Sequence, residues 1–304
     1  MSPARQRVEL TGYLAGNAML RTIPHAAGYR LARAIAGRVF DSAGKRAQWA
    51  LANVRIAFPK LDPAEQRRIA RESYVSFGCN LVDLARAETW SPAEIVERCP
   101  VDDDFHVDRA LEKGRGAVLL TLHIGNWELG VQSLGIGIAR HRPCVIGRPM
   151  RNKLLYDRIA GSRQSSGVEL LSRENALMGL ARRLRDNRPV ALLNDQYARR
   201  SRGVFAPFLG VRASSPAGVA MLALRTGAPI VPCYTYRIGL GRYQGYYLPE
   251  IEIETTGDRK RDLVDATARC NAALEALVRA HPDQWLWGHR RFRHSPDLDY
   301  DPYA

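Results

Sequence analysis

The sequence predicts an α/β fold: a mostly parallel sheet flanked by helices, with a helical N-terminal region. Three observations carry this. Over roughly the first hundred of the 304 residues, apolar side chains recur at helical spacing. From about Gly116 the pattern changes to short apolar runs separated by helix-length stretches, the signature of buried parallel strands and their crossovers. The 46% hydrophobic share is that of a globular chain and excludes disorder or a collagen-like repeat. The expected organisation is a helical region over 1–100, open to membrane-interface contact, and one compact α/β unit over 101–304.

In chain order, Leu10, Leu14 and Ala18, then Leu31, Ile35 and Val39, mark helical faces interleaved with Arg21, Arg30, Arg33 and Arg38. Pro24 should divide the stretch into two helices, because its ring cannot continue one. Two placements stay open for them: flat in a membrane interface, or packed on the protein's own core. Asp62-Pro63-Ala64-Glu65 and Ser91-Pro92-Ala93-Glu94 each supply a capping oxygen, a first-turn proline and a glutamate three residues after the cap. Strands are expected at 117–122, 143–146, 168–171, 190–193 and 229–236, with helices near 126–138, 152–165, 174–186 and 216–225. A further strand over 243–253 follows the Gly239/Gly241 turn and suits antiparallel pairing, and 262–281 reads as a closing helix. Ser214 and Ser215 precede Pro216, where one of them suits an N-cap.

Charge narrows the partners. There are 45 basic residues against 31 acidic, a net +14, and only five are lysine. Arginine captures phosphate and carboxylate bidentately, so an anionic partner is indicated. Runs free of Asp, Glu, Lys and Arg reach twelve residues, as over 116–127, short of the roughly 18–20 a spanning helix needs. No secretory signal is visible at the amino terminus. Cys79, Cys99, Cys144, Cys233 and Cys270 are odd in number and scattered, as buried thiols are in a reducing compartment. His289 and His294 lack a neighbouring Cys or acid that would complete a metal site.

The strongest chemical feature is the strand 117–122 running into His123-Ile124-Gly125-Asn126-Trp127-Glu128. Gly125 permits a tight turn and Asn126 is a good N-cap. On one continuous helix His123 and Glu128 would diverge by about 140°. With His123 at the strand's carboxyl end and Glu128 in the next helix's first turn they can converge, at the edge where open α/β sheets bind ligands. A carboxylate on one imidazole nitrogen leaves the other free to take a proton from a hydroxyl. The competing explanation is a core histidine bonded to nearby backbone, with Glu128 merely favouring the helix dipole. Both fit the spacing.

These residues resemble a family, the late acyltransferases of bacterial lipid A biosynthesis, which share a His-x4-Glu motif. The resemblance extends over nearly the whole chain. It is carried by Asn53 to Phe58-Pro59, His123 to Glu128, Arg148-Pro149 with Asn152, Asp195-Gln196, Gly203 to Gly210 with Ala213 to Pro216, and Trp287-Gly288-His289-Arg290-Arg291-Phe292. It implies transfer of a fatty acyl chain from acyl carrier protein to a hydroxyl of a lipid A precursor, with His123 as general base and Glu128 as its orienting partner. It implies no metal or cofactor, and a peripheral position on the cytoplasmic face of an inner membrane. This agrees with the missing Gly-x-Ser-x-Gly nucleophile elbow. Many members carry a clearer hydrophobic anchor than this chain, whose first helix is interrupted by Arg21.

Substrate contacts are expected from Asn126, Arg148, Asp195, Arg199 and Arg290. Arg148 and Asp195 follow predicted strands, and Arg199, Arg200 and Arg202 lie in the loop beyond. Arg182, Arg183 and Arg185 face away from an apolar helix stripe and read as solvated. Arg290, Arg291 and Arg293 interleave with Trp285, Trp287 and Phe292, a mixture suited to a membrane interface or to nucleic acid. No nucleic-acid motif accompanies it, so nucleic acid is not an expected partner. Other acceptors for the same chemistry are a phospholipid, a glycolipid or a pigment head group. A basic binding module without catalysis is the alternative of a different class.

Overall fold

Pro24 ends one helix and opens the next: α1 spans Pro3–Thr22 and α2 His25–Asp41. The computed structural model describes residues 2–147, 151–172 and 176–304. Helices α3 (Lys45–Ala57), α4 (Pro63–Ala87) and α5 (Pro92–Arg98) follow. Both cap signatures form. Asp62 accepts from the Ala64 amide, and Ser91 and Glu94 make the reciprocal capping box.

The remainder alternates as the apolar runs require. In order it contains β1 (Val101–Asp102), α6 (Phe105–Leu111), β2 (Ala117–Thr121), α7 (Trp127–Gly137), β3 (Cys144–Gly147), α8 (Lys153–Ser165), β4 (Glu169–Ser172), α9 (Ala176–Arg185) and β5 (Pro189–Leu193). Then come β6 (Gly203–Phe208), β7 (Val211–Pro216), α10 (Gly218–Thr226), β8 (Ile230–Gly239), β9 (Arg242–Tyr247) and α11 (Arg259–Ala280). Seven strands form one sheet in the order β1-β9-β8-β2-β5-β3-β4. Its neighbours run parallel except β8 and β9, the antiparallel pair that the Gly239/Gly241 turn suggested.

Strands β6 and β7 make a separate antiparallel hairpin that hydrophobic runs alone did not reveal. It turns at Leu209 and Gly210, both at positive φ. The expected serine cap is corrected here. Ser214 and Ser215 lie in β7, fully buried, and α10 starts later, at Gly218.

One apolar cluster joins Ala50 and Val54 of α3 and Ile69 of α4 to Val118 and Leu120 of β2 and to Trp285 and Trp287. Helices α3 and α4 are thus packed on the sheet's own core, and α2 joins the same cluster only through Phe40. Asn53, fully buried, donates from Nδ2 to the Trp287 carbonyl (2.7 Å) and the His289 carbonyl (2.6 Å), so the early and late sequence motifs clasp each other. Helix α2 nevertheless leaves Leu31 (43%), Ile35 (54%) and Val39 (53%) exposed one turn apart, beside exposed Arg30 and Arg38. Among the described residues no helix is long and apolar enough to cross a membrane.

Candidate active site

The site follows from strand register. Strands β2 and β5 are parallel neighbours with Thr121 opposite Leu193. The residues two beyond each strand end, His123 and Asp195, are therefore brought side by side at the carboxyl edge of the sheet. His123 Nδ1 lies 2.7 Å from Asp195 Oδ1, and the His123 amide donates to Oδ2 at 3.0 Å. The Trp285 indole N–H donates to Oδ2 at 2.7 Å. Asp195 is completely enclosed, whereas the His123 side chain keeps 18% of its surface open. His123 alone of the pair can touch a substrate.

The electrostatics follow from burial and pairing. Burial works against a charge on His123, but the Asp195 carboxylate outweighs it, with a smaller contribution from Glu128, and the imidazole is held above its ordinary pKa. Burial alone would raise Asp195, yet the charge and hydrogen bonds of His123 hold it well below the usual carboxylate range. His289 is the contrast. Its Nδ1 meets only the Leu286 carbonyl (2.7 Å), its Nε2 is sealed from solvent without a partner, and burial pulls its pKa down to about 4.

The expected pairing of His123 with Glu128 is not the one formed. Glu128 does stand in the first turn of α7 and lines the same cavity, but its carboxylate is held bidentately by Arg163 of α8, at 2.7 and 3.0 Å. Asp195 occupies the position assigned to Glu128 because it shares a register level with His123, whereas Glu128 turns away with its helix.

Asn126 is likewise corrected. It is buried, accepts from the Leu129 amide as N-cap, and points its amide nitrogen at the Asn80 carbonyl (3.4 Å), so it shapes the turn rather than contacting substrate. Arg199 is exposed on the loop after β5 and outside the cavity lining. Arg290 lies 4.9 Å over the Trp49 ring and outside the cavity lining. Arg148 lies outside the described residues.

Gly125, at φ +52°, must be glycine. A Cβ there would stand 2.3 Å from the Thr235 carbonyl oxygen. The first-turn amides of α7, at Trp127 and Glu128, have no intrahelical acceptor by helix geometry. Free first-turn amides of this kind are the groups by which a helix N-terminus accepts an anion.

His123 opens onto a cavity of about 580 Å³ between the sheet's carboxyl edge, α7 and α8. Its walls are mostly apolar: Val145, Ile146, Ala191 and Leu192 from strands, Val131 from α7, and Ile159 and Ala160 from α8. Phe77 of α4, 38% exposed, stacks on Trp127 (6.0 Å) at its rim, and Trp127 meets the His123 ring edge-on at 5.1 Å. Sequence reasoning did not find Arg163 or Phe77, and it placed Trp285 among interface aromatics rather than against Asp195. Arg163 and Phe77 lie on helices whose faces are read only once packed.

All five cysteines are buried. Burial pushes their thiols up, to about 11 at Cys144 and about 12 at Cys99, Cys233 and Cys270. None is an activated nucleophile.

A carboxylate-backed imidazole at the mouth of an apolar cavity can remove a proton from a polar group beside a bound aliphatic chain. That defines the class: α/β proteins equipped for chemistry at the polar end of a hydrocarbon. Residues 7–294 match the model of the bacterial lipid A biosynthesis acyltransferases, and the chain belongs to that family. It is 28% identical to the lipid A biosynthesis lauroyltransferase of Escherichia coli K12, over 90% of this chain and 88% of that protein. The palmitoleoyltransferase of the same organism is 27% identical over 83% of this chain and 80% of its own length. A phosphatidylinositol mannoside acyltransferase of Mycolicibacterium smegmatis is 28% identical over 93% and 91%.

Proposed function

We propose that this chain is an acyl-carrier-protein-dependent O-acyltransferase that moves a fatty acyl group onto a hydroxyl of a lipid A precursor at the cytoplasmic face of an inner membrane. The observation that carries the reading is the His123–Asp195 pair at the mouth of the 580 Å³ apolar cavity. A cavity of this size suits one aliphatic chain. His123, its Nδ1 engaged by Asp195, takes the acceptor hydroxyl proton on Nε2. The alkoxide oxygen attacks the thioester carbonyl, and the α7 first-turn amides face the resulting oxyanion. Collapse breaks the C–S bond, and the imidazolium returns its proton to the departing thiolate. The Glu128–Arg163 pair gives the cavity mouth a neutral polar wall instead of a lone charge. Exposed Arg199, Arg200 and Arg202, on the loop leading from Asp195, form a basic approach for an acidic carrier protein.

The test is transfer by the purified protein from acyl carrier protein thioesters to lipid A precursors and to phosphatidylinositol mannosides, read by mass spectrometry of the lipids. Mass gain on the lipid A precursor is expected. Gain on the mannoside alone reassigns the acceptor, and no gain on any lipid from any donor overturns the reading.

Two further outcomes follow from this reading. Ala160 lies on the cavity wall, so Ala160→Phe should shift the preferred acyl chain to one shorter by about two to four carbons, since each buried methylene contributes about 0.8 kcal/mol. Competition among donors of graded length measures this; an unchanged preference would place the chain elsewhere. Peripheral attachment is assigned to the exposed Leu31, Ile35 and Val39 stripe with its arginines. Replacing all three by serine should reduce sedimentation with anionic vesicles roughly tenfold or more, as lost burial of three apolar side chains requires. Equal sedimentation would remove α2 from the membrane contact.

A further inference from the structure

Resting on the acyl-transfer reading, we infer that Asn80 and Arg237 are positioning residues that together fix the peptide groups of the His123–Asn126 turn. Asn80, buried on α4, donates from Nδ2 to the Gly125 carbonyl at 2.5 Å. Its Oδ1 accepts from the Arg237 guanidinium, which sets which end of the amide faces the turn. Arg237, on β8, is anchored in turn by the Ser76 hydroxyl and carbonyl, both at 3.0 Å, and by Asp83 at 3.9 Å.

The same residue reaches the turn from its other side. The Arg237 amide donates to Gln284 Oε1 at 2.7 Å, and Gln284 Nε2 donates to the Arg237 carbonyl at 3.1 Å. The Gln284 carbonyl then accepts from the Gly125 amide at 3.2 Å. Both main-chain groups of Gly125 are therefore held by partners that Arg237 aligns, one through its side chain and one through its backbone.

This grip acts at the reacting groups because a peptide is planar. Fixing the direction of the Gly125 carbonyl fixes the opposed Asn126 N–H, and with it the entry of α7 and the aim of its first-turn amides. Gly125 supplies the sharp bend but, lacking a side chain, cannot by itself hold one peptide orientation.

Asn80→Asp tests this. It is isosteric and keeps an oxygen for Arg237, so the fold should survive, but it sets a carboxylate against the Gly125 carbonyl where a donor stood. The expected result is a kcat lowered roughly 10- to 100-fold with KM for donor and acceptor nearly unchanged, as a misaimed group within an otherwise intact site gives. Asn80→Ala should show the same split. Asn187→Ala, which removes a comparable side-chain tie to the Gly116 amide (2.8 Å) at the opposite edge of the sheet, should leave kcat unchanged.

A kcat within twofold of wild type in Asn80→Asp, or a loss confined to KM, overturns the inference. A wild-type protein that transfers nothing counts against the acyl-transfer reading instead. The grip is then judged by amide hydrogen exchange at Gly125 and Asn126, which should quicken in Asn80→Asp while the melting temperature holds. Unaltered exchange there overturns it independently of any substrate.

Discussion

Replacing His123 by alanine is expected to lower kcat by roughly 10³-fold or more, the contribution of a positioned general base backed by a carboxylate. The donor and acceptor KM values should change little, because in the proposed acyl transfer the aliphatic chain is held by the apolar cavity walls rather than by the imidazole. The protein should remain folded. Asp195 would lose its imidazole partner, the largest influence holding its carboxyl down against burial, while the hydrogen bonds from the residue 123 amide and the Trp285 indole remain. The carboxyl therefore keeps two of its three hydrogen bonds and is not left as a stranded group. Steady-state kinetics on a preparation with an unshifted melting curve decides the matter. Near-normal turnover would remove His123 from the chemistry and leave the family membership untouched.

The fold was legible where periodicity was strong. Pro24, the Ser91–Glu94 capping box and the apolar runs from Ala117 to Tyr236 each named an element by local chemistry. The β6–β7 hairpin escaped because β6 is interrupted by Pro207, β7 carries Arg212, Ser214 and Ser215, and the turn rests on Leu209 and Gly210 at positive φ. At the site, the sequence singles out both His123 and Asp195, but the strand-to-helix turn and the His-x4-Glu resemblance point to Glu128 as the partner. The signal for the correct pairing was present: each residue stands two positions beyond an apolar strand, 117–121 and 189–193. Adjacent parallel strands in that register must bring the two together. Their adjacency, however, is a property of sheet order, and several orders are compatible with the same runs. The arginines show the same limit. Arg290 and Arg291 are neighbours in sequence, yet Arg290 packs on Trp49 while Arg291 is wholly buried, donating to the Ser214 carbonyl and the Ser215 hydroxyl.

Asp195→Asn should be nearly as damaging as loss of the base, roughly 10³- to 10⁴-fold in kcat. Asp195 accepts three hydrogen bonds, from the His123 amide, His123 Nδ1 and the Trp285 indole. An amide has one oxygen, so at least one of these donors meets an NH₂ group or the imidazole turns to the wrong tautomer. The cost in stability is about 1–3 kcal/mol, that of an unmet buried hydrogen bond, so a folded and inactive protein is expected.

The pH profile separates this outcome from simple damage. In the wild type, kcat should rise with pH as His123 loses its proton, with a limb above pH 6.5 because Asp195 holds the imidazole above its ordinary value. Without the carboxylate, burial dominates, as it does at His289, whose pKa is about 4. The limb of the asparagine variant should therefore move to lower pH while its plateau collapses.

Stability follows the same linkage with the signs opposed. The Asp195 contribution is present above the unfolded carboxyl pKa and is lost as pH falls through its depressed folded value. The His123 contribution is complete below the unfolded imidazole pKa and is lost as pH rises through its raised folded value. The pair therefore stabilises the fold most between those limits, which is where the wild type and Asp195→Asn should differ most in melting temperature. A limb that stays in place in Asp195→Asn would show that the carboxylate does not set the base, and would return that role to Glu128.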